Sequence, residues 1–161
     1  MKRVILFRHG EASFDTASDF ERELTQNGIT SVILSAQYLI DASISPQRVV
    51  ASAAQRAIET TSVLCEAMKL SVEKIKYVSS LYSQGADAYI SEIIGHSDEI
   101  DSVMIVGHNP SLSELANHFS KDGFFHLAPA GFIVVEFETD SWSHVFSVTS
   151  NVLLNHNALA D

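Results

Sequence analysis

Three short apolar runs constrain this chain more than any other feature. They lie at residues 2–7 (Lys-Arg-Val-Ile-Leu-Phe), 48–51 (Arg-Val-Val-Ala) and 102–106 (Ser-Val-Met-Ile-Val). A strand that is apolar at consecutive positions has to be covered on both faces, and a parallel sheet between helix layers does that. The stretches between the runs have helical spacing. The spacing predicts a helix over 25–41 with its buried stripe at Ile29, Val32, Ile33, Ala36 and Ile40, ended by the breaker Ser45-Pro46. A second helix opens at Ser52 and continues through Ala57, Ile58, Thr61, Leu64, Cys65 and Met68. A third covers 84–95 through Ala86, Tyr89, Ile90, Ile93 and Ile94, and a fourth carries Leu112, Leu115, Ala116 and Phe119. Ser52 with Gln55, and Ser111 with Glu114, have the spacing of capping boxes. Residues 74–78 read as a short strand. Gly131–Phe137 and His144–Thr149 read as an antiparallel pair turning at Asp140-Ser141. The expected fold is α/β and three-layered. It has a mainly parallel sheet, helices on both faces and a C-terminal antiparallel strand pair, in one domain over residues 1–161.

Charge and composition exclude several classes of function. The formal net charge is −10, and 46% of residues are hydrophobic, so disorder is excluded. Residues 1–76 hold nine basic and nine acidic side chains, whereas residues 77–161 hold Lys121 against eleven carboxylates. No basic stripe serves nucleic acid, and an anionic membrane would repel the acidic half. The opening Met-Lys-Arg-Val-Ile-Leu-Phe meets Arg8-His9-Gly10-Glu11 too early for a signal peptide. No apolar run approaches the ~18 residues of a membrane span. Cys65, the lone cysteine, has no disulfide partner and falls on an apolar stripe. A soluble, cytoplasmic domain is expected. His96, His118, His126, His144 and His156 lack metal-ligand spacing, and neither a metal nor a cofactor is expected. Phe124, Phe125 and Trp142 suit core packing better than a partner surface.

In an open α/β sheet, ligands bind beyond the carboxyl ends of the strands. Each of the three apolar runs ends on polar residues: Arg8-His9-Gly10, Ser52-Ala53-Ala54-Gln55-Arg56 and Gly107-His108-Asn109-Pro110. Singly, each has an ordinary reading as a surface arginine, a solvated first-turn side chain or a structural histidine. Together they place two arginines, two histidines and two helix starts on one rim. Arginine forks and free backbone N–H groups suit phosphoryl oxygens, and a neutral histidine can attack phosphorus. No nucleotide-binding glycine loop, Gly-x-Ser-x-Gly elbow or His-Glu-x-x-His is present.

These motifs in this order resemble the histidine phosphatase superfamily, which includes the phosphoglycerate mutases. The segment Asp19-x-x-Arg22-x-Leu24-Thr25-x-x-Gly28 is similar to its short branch, the SixA-type phosphohistidine phosphatases. The resemblance runs from residue 2 to about residue 135. It implies His9 as the phosphorylated nucleophile, Arg8 and Arg56 as phosphoryl ligands, and His108 as the second pocket histidine. Arg22, Ser52, Gly107 and Asn109 would complete substrate binding. It implies a phosphorylated protein, such as a phosphorelay domain, as substrate and inorganic phosphate as product. Two alternatives stand beside it: a phosphatase for a small phosphorylated metabolite, and a non-catalytic phosphate- or phosphoprotein-binding module. A mutase fits less well, because no inserted lid is available. The general acid of larger relatives has no evident counterpart; Glu11, Asp15 and Asp19 are the available substitutes.

Overall fold

The computed structural model describes residues 1–121 and 125–157. Phe124 lies outside the described residues. Among them, one sheet contains β1 (Lys2–Arg8), β2 (Arg48–Ser52), β3 (Ile75–Val78), β4 (Ser102–Gly107), β5 (Phe132–Phe137) and β6 (Ser150–His156). The strand order is β3-β2-β4-β1-β5-β6. The first four strands in that order are parallel; β5 runs antiparallel to β1, and β6 antiparallel to β5. The helices are α1 (Gln26–Asp41), α2 (Gln55–Met68), the single turn α3 (Ser80–Ser83), α4 (Ala86–Ile94) and α5 (Ser111–Phe119).

The apolar runs are buried on both sides, as their composition requires. Ile5 and Phe7 point to the α1–α2 side, with Val32, Leu39, Ala57 and Leu64. Val4 and Leu6 point the other way, to Tyr89, Ile93, Leu112 and Leu115 of α4 and α5. The neighbours β1 and β4 are therefore followed by helices on opposite faces of the sheet. The chain ends diverge there and leave a crevice, the usual ligand position in such sheets.

The structure corrects four local expectations. In α1 the buried residues are Gly28, Val32, Ser35, Ala36 and Leu39, while Ile33 and Ile40 are 49% and 40% exposed. This helix is apolar around much of its circumference, so packing chooses the face. The small residues win because they allow a close backbone approach, and Ser35 Oγ donates to Ala130 O at 2.7 Å. The second correction is at Ser52, which does not box α2: the N-cap is Ala54, and the Ser52 hydroxyl is turned to His108. Third, the first turn of α5 is served by Asn109 rather than Ser111, its Oδ1 accepting from Ser113 N at 3.2 Å. Finally, residues 144–149 form no strand. Trp142, fully buried, donates Nε1–H to Ile100 O and draws this segment into a turn, so the last strand begins at Ser150.

The loop after β1 is clamped to α1. A Cβ on Gly28 would collide with the carbonyl oxygen of Glu11, and one on Gly10 would stand 2.9 Å from Gly28 O. Thr25 caps α1 at the same point, accepting from Gly28 N at 2.9 Å. Gly28→Ala is expected to destabilise the protein by about 1–3 kcal/mol, the usual range for overpacking. The measurement is the urea midpoint at unchanged m. An unshifted midpoint would show that this contact yields at no cost.

Candidate active site

The parallel pairing of β1 and β4 builds the site. Arg8 stands opposite Gly107, and His9 N donates to Gly107 O at 3.1 Å. The side chains that follow, His9 and His108, thus emerge side by side, with ring centroids 5.1 Å apart. With Arg8, Arg22, Arg56 and Asn109 they line a pocket of about 350 Å³, together with Glu11, Ala12, Phe14 and Pro129. A cleft of about 400 Å³ lined by Arg48, Lys74, Lys76, Glu92 and His96 lies away from this set.

His9 is buried, and its two ring nitrogens have distinct partners. Nδ1 lies 2.7 Å from Gly10 O, which can only accept, so Nδ1 carries the proton. Nε2 keeps its lone pair and accepts from Arg56 Nε at 3.3 Å. The ring pKa is pulled down to about 3, chiefly by burial and in smaller part by His108, Arg56 and Arg8, against the opposing Gly10 bond. Desolvation is thus the larger cause of the lowered pKa, and the positive neighbours are the smaller one. The backbone here is fixed by Thr60, whose Oγ1 accepts from Gly10 N at 3.0 Å and donates to Arg56 O at 2.7 Å.

The three arginines are held differently. Arg8 donates Nη1–H to Leu127 O at 2.9 Å; its Nε is buried without a partner among the described residues. Arg56 is buried and reaches His9 through Nε, Asp19 O through Nη1 and Asp19 Oδ2 through Nη2. Five donors serve three bonds in Arg56, so two N–H groups remain. Arg22 is largely occupied by its own loop. Its donors reach Ser13 O, Ala12 O and Asp19 Oδ1, and its guanidinium lies 3.9 Å from the Phe14 ring centre.

His108 is held from behind. Its Nε2 lies 2.7 Å from Ser52 Oγ, and its backbone N–H reaches Tyr89 Oη at 3.0 Å. Its Nδ1 has no partner among the described residues. Burial lowers its pKa to about 4. Ser52 is fully buried and Gly107 is part of the sheet, so both lie behind the pocket lining. Gly107 is required by closeness: a Cβ there would strike Tyr89 Oη. Asn109 lines the pocket, while its amide also ties Leu127 O to α5.

The three loop carboxylates separate clearly. Glu11 lines the pocket and accepts from Thr25 Oγ1 at 2.7 Å. Asp15 is exposed and does not line it. Asp19 is held at a pKa of about 2, first by the Tyr82 hydroxyl and then by Arg22 and Arg56, so it stays ionised. Tyr82 and Tyr89 were not foreseen as site residues. Tyr89 sat in an apolar stripe, and nothing local marked its hydroxyl; Tyr82 is brought in by α3, one turn that has no sequence period. Among the described residues no group of three His, Cys, Asp or Glu could hold a metal ion, and no helix is long and apolar enough to cross a membrane.

The chain is similar to several known proteins. The family model for the histidine phosphatase superfamily (branch 1) matches residues 4–78. An uncharacterized protein of Mycobacterium leprae is 31% identical over 115 residues, 68% of either chain. Phosphohistidine phosphatase SixA of Escherichia coli is 29% identical over 116 residues, 70% of this chain and 71% of that one. A solved structure of the protein histidine phosphatase SixA with tungstate superposes with a TM-score of 0.81 at 21% identity, covering 96% of each chain. A mycobacterial glucosyl-3-phosphoglycerate phosphatase shares the fold at a TM-score of 0.66 and 15% identity, over 98% of this chain and 100% of that one.

The lowered pKa values of the two buried histidines predict that acid destabilises the fold. An unfolded histidine titrates near 6.5. Folded His9 and His108 titrate at about 3 and about 4. As pH falls below 6.5 the unfolded chain therefore gains protons that the folded chain refuses, and stability falls. The melting temperature is expected to decline from pH 7 to pH 4. The double variant His9→Asn, His108→Asn should decline less over the same interval. Parallel declines would assign the acid sensitivity to other groups.

Proposed function

Since the chain belongs to the histidine phosphatase superfamily, we propose that it is a phosphatase that passes a phosphoryl group from phosphohistidine on a protein, through His9, to water. One observation carries the reading: a buried, neutral His9 whose Nδ1–H is tied to Gly10 O presents the Nε2 lone pair to a pocket ringed by Arg8, Arg56 and His108. In the first step Nε2 bonds to phosphorus as the phosphorus–nitrogen bond of the substrate breaks. The departing imidazole takes the electron pair and then a proton. Arg56 Nε, which holds the Nε2 lone pair at rest, turns to a phosphoryl oxygen. In the second step water bonds to phosphorus and the bond to His9 breaks, releasing inorganic phosphate and the neutral ring. Arg8 Nε and the two spare N–H groups of Arg56 are donors for the equatorial oxygens, where charge accumulates. A phosphate-binding module without turnover would have no use for a histidine so poised.

The phosphohistidine substrate is supported by the SixA relatives and by the loop chemistry. Asp19 is an ionised arginine partner and not a proton donor. An imidazole leaves more readily than an alkoxide, so a pocket with little general-acid help suits it. Glu11 favours the second reading, a phosphatase for a small phosphate ester, because it is a carboxylate residue that lines the pocket. The fold shared with a sugar-phosphate phosphatase is compatible with that reading.

Two measurements test the proposal. The first concerns the nucleophile. His9→Ala is expected to stay folded and lose turnover, and wild-type enzyme quenched in mid-reaction should carry acid-labile phosphate on His9. Substantial activity in the variant removes His9 from the reaction. The second concerns the leaving group. kcat/KM should be much higher on a phosphohistidine protein than on a phosphoserine peptide of similar sequence. A positioned general acid contributes roughly 10²–10⁴ to ester hydrolysis, so comparable values would show that an efficient general acid is present and favour the small-ester reading.

A further inference from the structure

Tyr82 connects three elements of the pocket that the proposed chemistry leaves unexplained. It lies on α3, the single turn after β3. Its neighbour Leu81 is buried, and Leu81 O accepts from Tyr89 Oη at 2.8 Å, so this turn is anchored to the sheet side of the molecule. The Tyr82 hydroxyl donates to Asp19 Oδ2 at 2.9 Å. The ring stands edge-on to Phe20 at 4.9 Å and to His108 at 5.7 Å, and the Arg56 guanidinium lies 5.8 Å from its centre. Asp19 belongs to a three-residue 3₁₀ turn in the long loop after β1, and its carboxylate is 54% exposed. Yet this one residue supplies both Nη contacts of Arg56: its backbone oxygen takes Nη1 at 2.7 Å and its Oδ2 takes Nη2 at 3.2 Å.

Those two bonds decide which way the guanidinium faces. With Nη1 and Nη2 tied on one side, Nε points at His9 Nε2 and the remaining N–H groups are left for an incoming anion. An exposed aspartate on a loop is a poor anchor alone, because solvent screens it and its rotamers are free. Arg22 Nη1 restrains Oδ1 at 3.1 Å, and the hydroxyl from α3 adds the restraint on Oδ2, the oxygen that Arg56 uses. We infer that Tyr82 is a positioning residue that acts through Asp19 to hold the Arg56 guanidinium in register with His9. The inference rests on reading the pocket as a phosphoryl site. It gives β3 a part in the site, through the turn that follows it, although β3 contributes nothing to the pocket lining. It also gives the Asp19 carboxylate a purpose that proton donation does not.

Coupling distinguishes positioning from a merely structural role. Tyr82→Phe keeps the ring contacts to Phe20 and His108 and removes only the hydroxyl, so its melting temperature should match the wild type. On p-nitrophenyl phosphate and on a phosphohistidine protein its kcat should fall roughly tenfold, the scale of a lost hydrogen bond to a charged group, with KM little changed. In an Arg56→Ala background the same substitution should change kcat less than twofold, because the group it positions is gone. Asp19→Asn should show the same loss and the same collapse. A wild-type kcat in Tyr82→Phe overturns the inference, and so does a tenfold loss that persists without Arg56; either result leaves the phosphatase reading intact if wild-type enzyme turns over. If the wild type turns over neither substrate, the phosphatase reading fails by itself. Equilibrium binding of orthovanadate then decides the inference: Tyr82→Phe should weaken it about tenfold when Arg56 is present and leave it unchanged in Arg56→Ala, and any other pattern overturns it.

Discussion

The parallel register of β1 on β4 is the constraint on which the site depends. Arg8 is level with Gly107, so the two strands end together and His9 and His108 leave the sheet side by side. A slip of one residue would turn every side chain of one strand to the opposite face and separate the two rings. The register is secured by burial on both faces. Val4 and Leu6 pack to one side and Ile5 and Phe7 to the other, so the strand is held between two helix layers.

Burial then does chemical work. The same packing that excludes water from the sheet keeps His9 and His108 uncharged at neutral pH. A charged ring cannot attack phosphorus, so under the proposed reading desolvation readies His9 before any substrate arrives. Positive charge comes instead from arginines, which keep theirs when buried. Each is steadied by backbone oxygens: Leu127 for Arg8, Asp19 for Arg56, Ala12 and Ser13 for Arg22. The acidic net charge of the chain therefore coexists with a locally cationic pocket.

Much of this was legible in the residues. Continuous apolar runs required strands covered twice, and polar clusters straight after them required a rim. Arg8, His9, Arg56 and His108 were named on that ground, and the fold brings all four together. Arg22 and Asn109 also reach the pocket lining, whereas Ser52 and Gly107 stand behind it. The misreadings were local. Ser52 and Ser111 have the spacing of capping residues, but Ser52 Oγ turns to His108, and Asn109 serves the first turn of α5. The α1 stripe was rotated because a helix apolar around much of its surface offers more than one face to a periodicity argument.

The sequence by itself pointed to the layers, the ends of the three apolar strands and the candidate reacting groups, because burial and local spacing are properties of neighbouring residues. Tertiary structure decided three further things: which proton His9 carries, which partner each arginine takes, and which carboxylate stays ionised. These depend on atoms far apart in the chain. Arg56 meets Asp19 across 37 residues, Tyr82 meets it across 63, and His108 meets Ser52 across 56. Hydrogen-bond direction and desolvation are set by such contacts, and no periodicity along the chain encodes them.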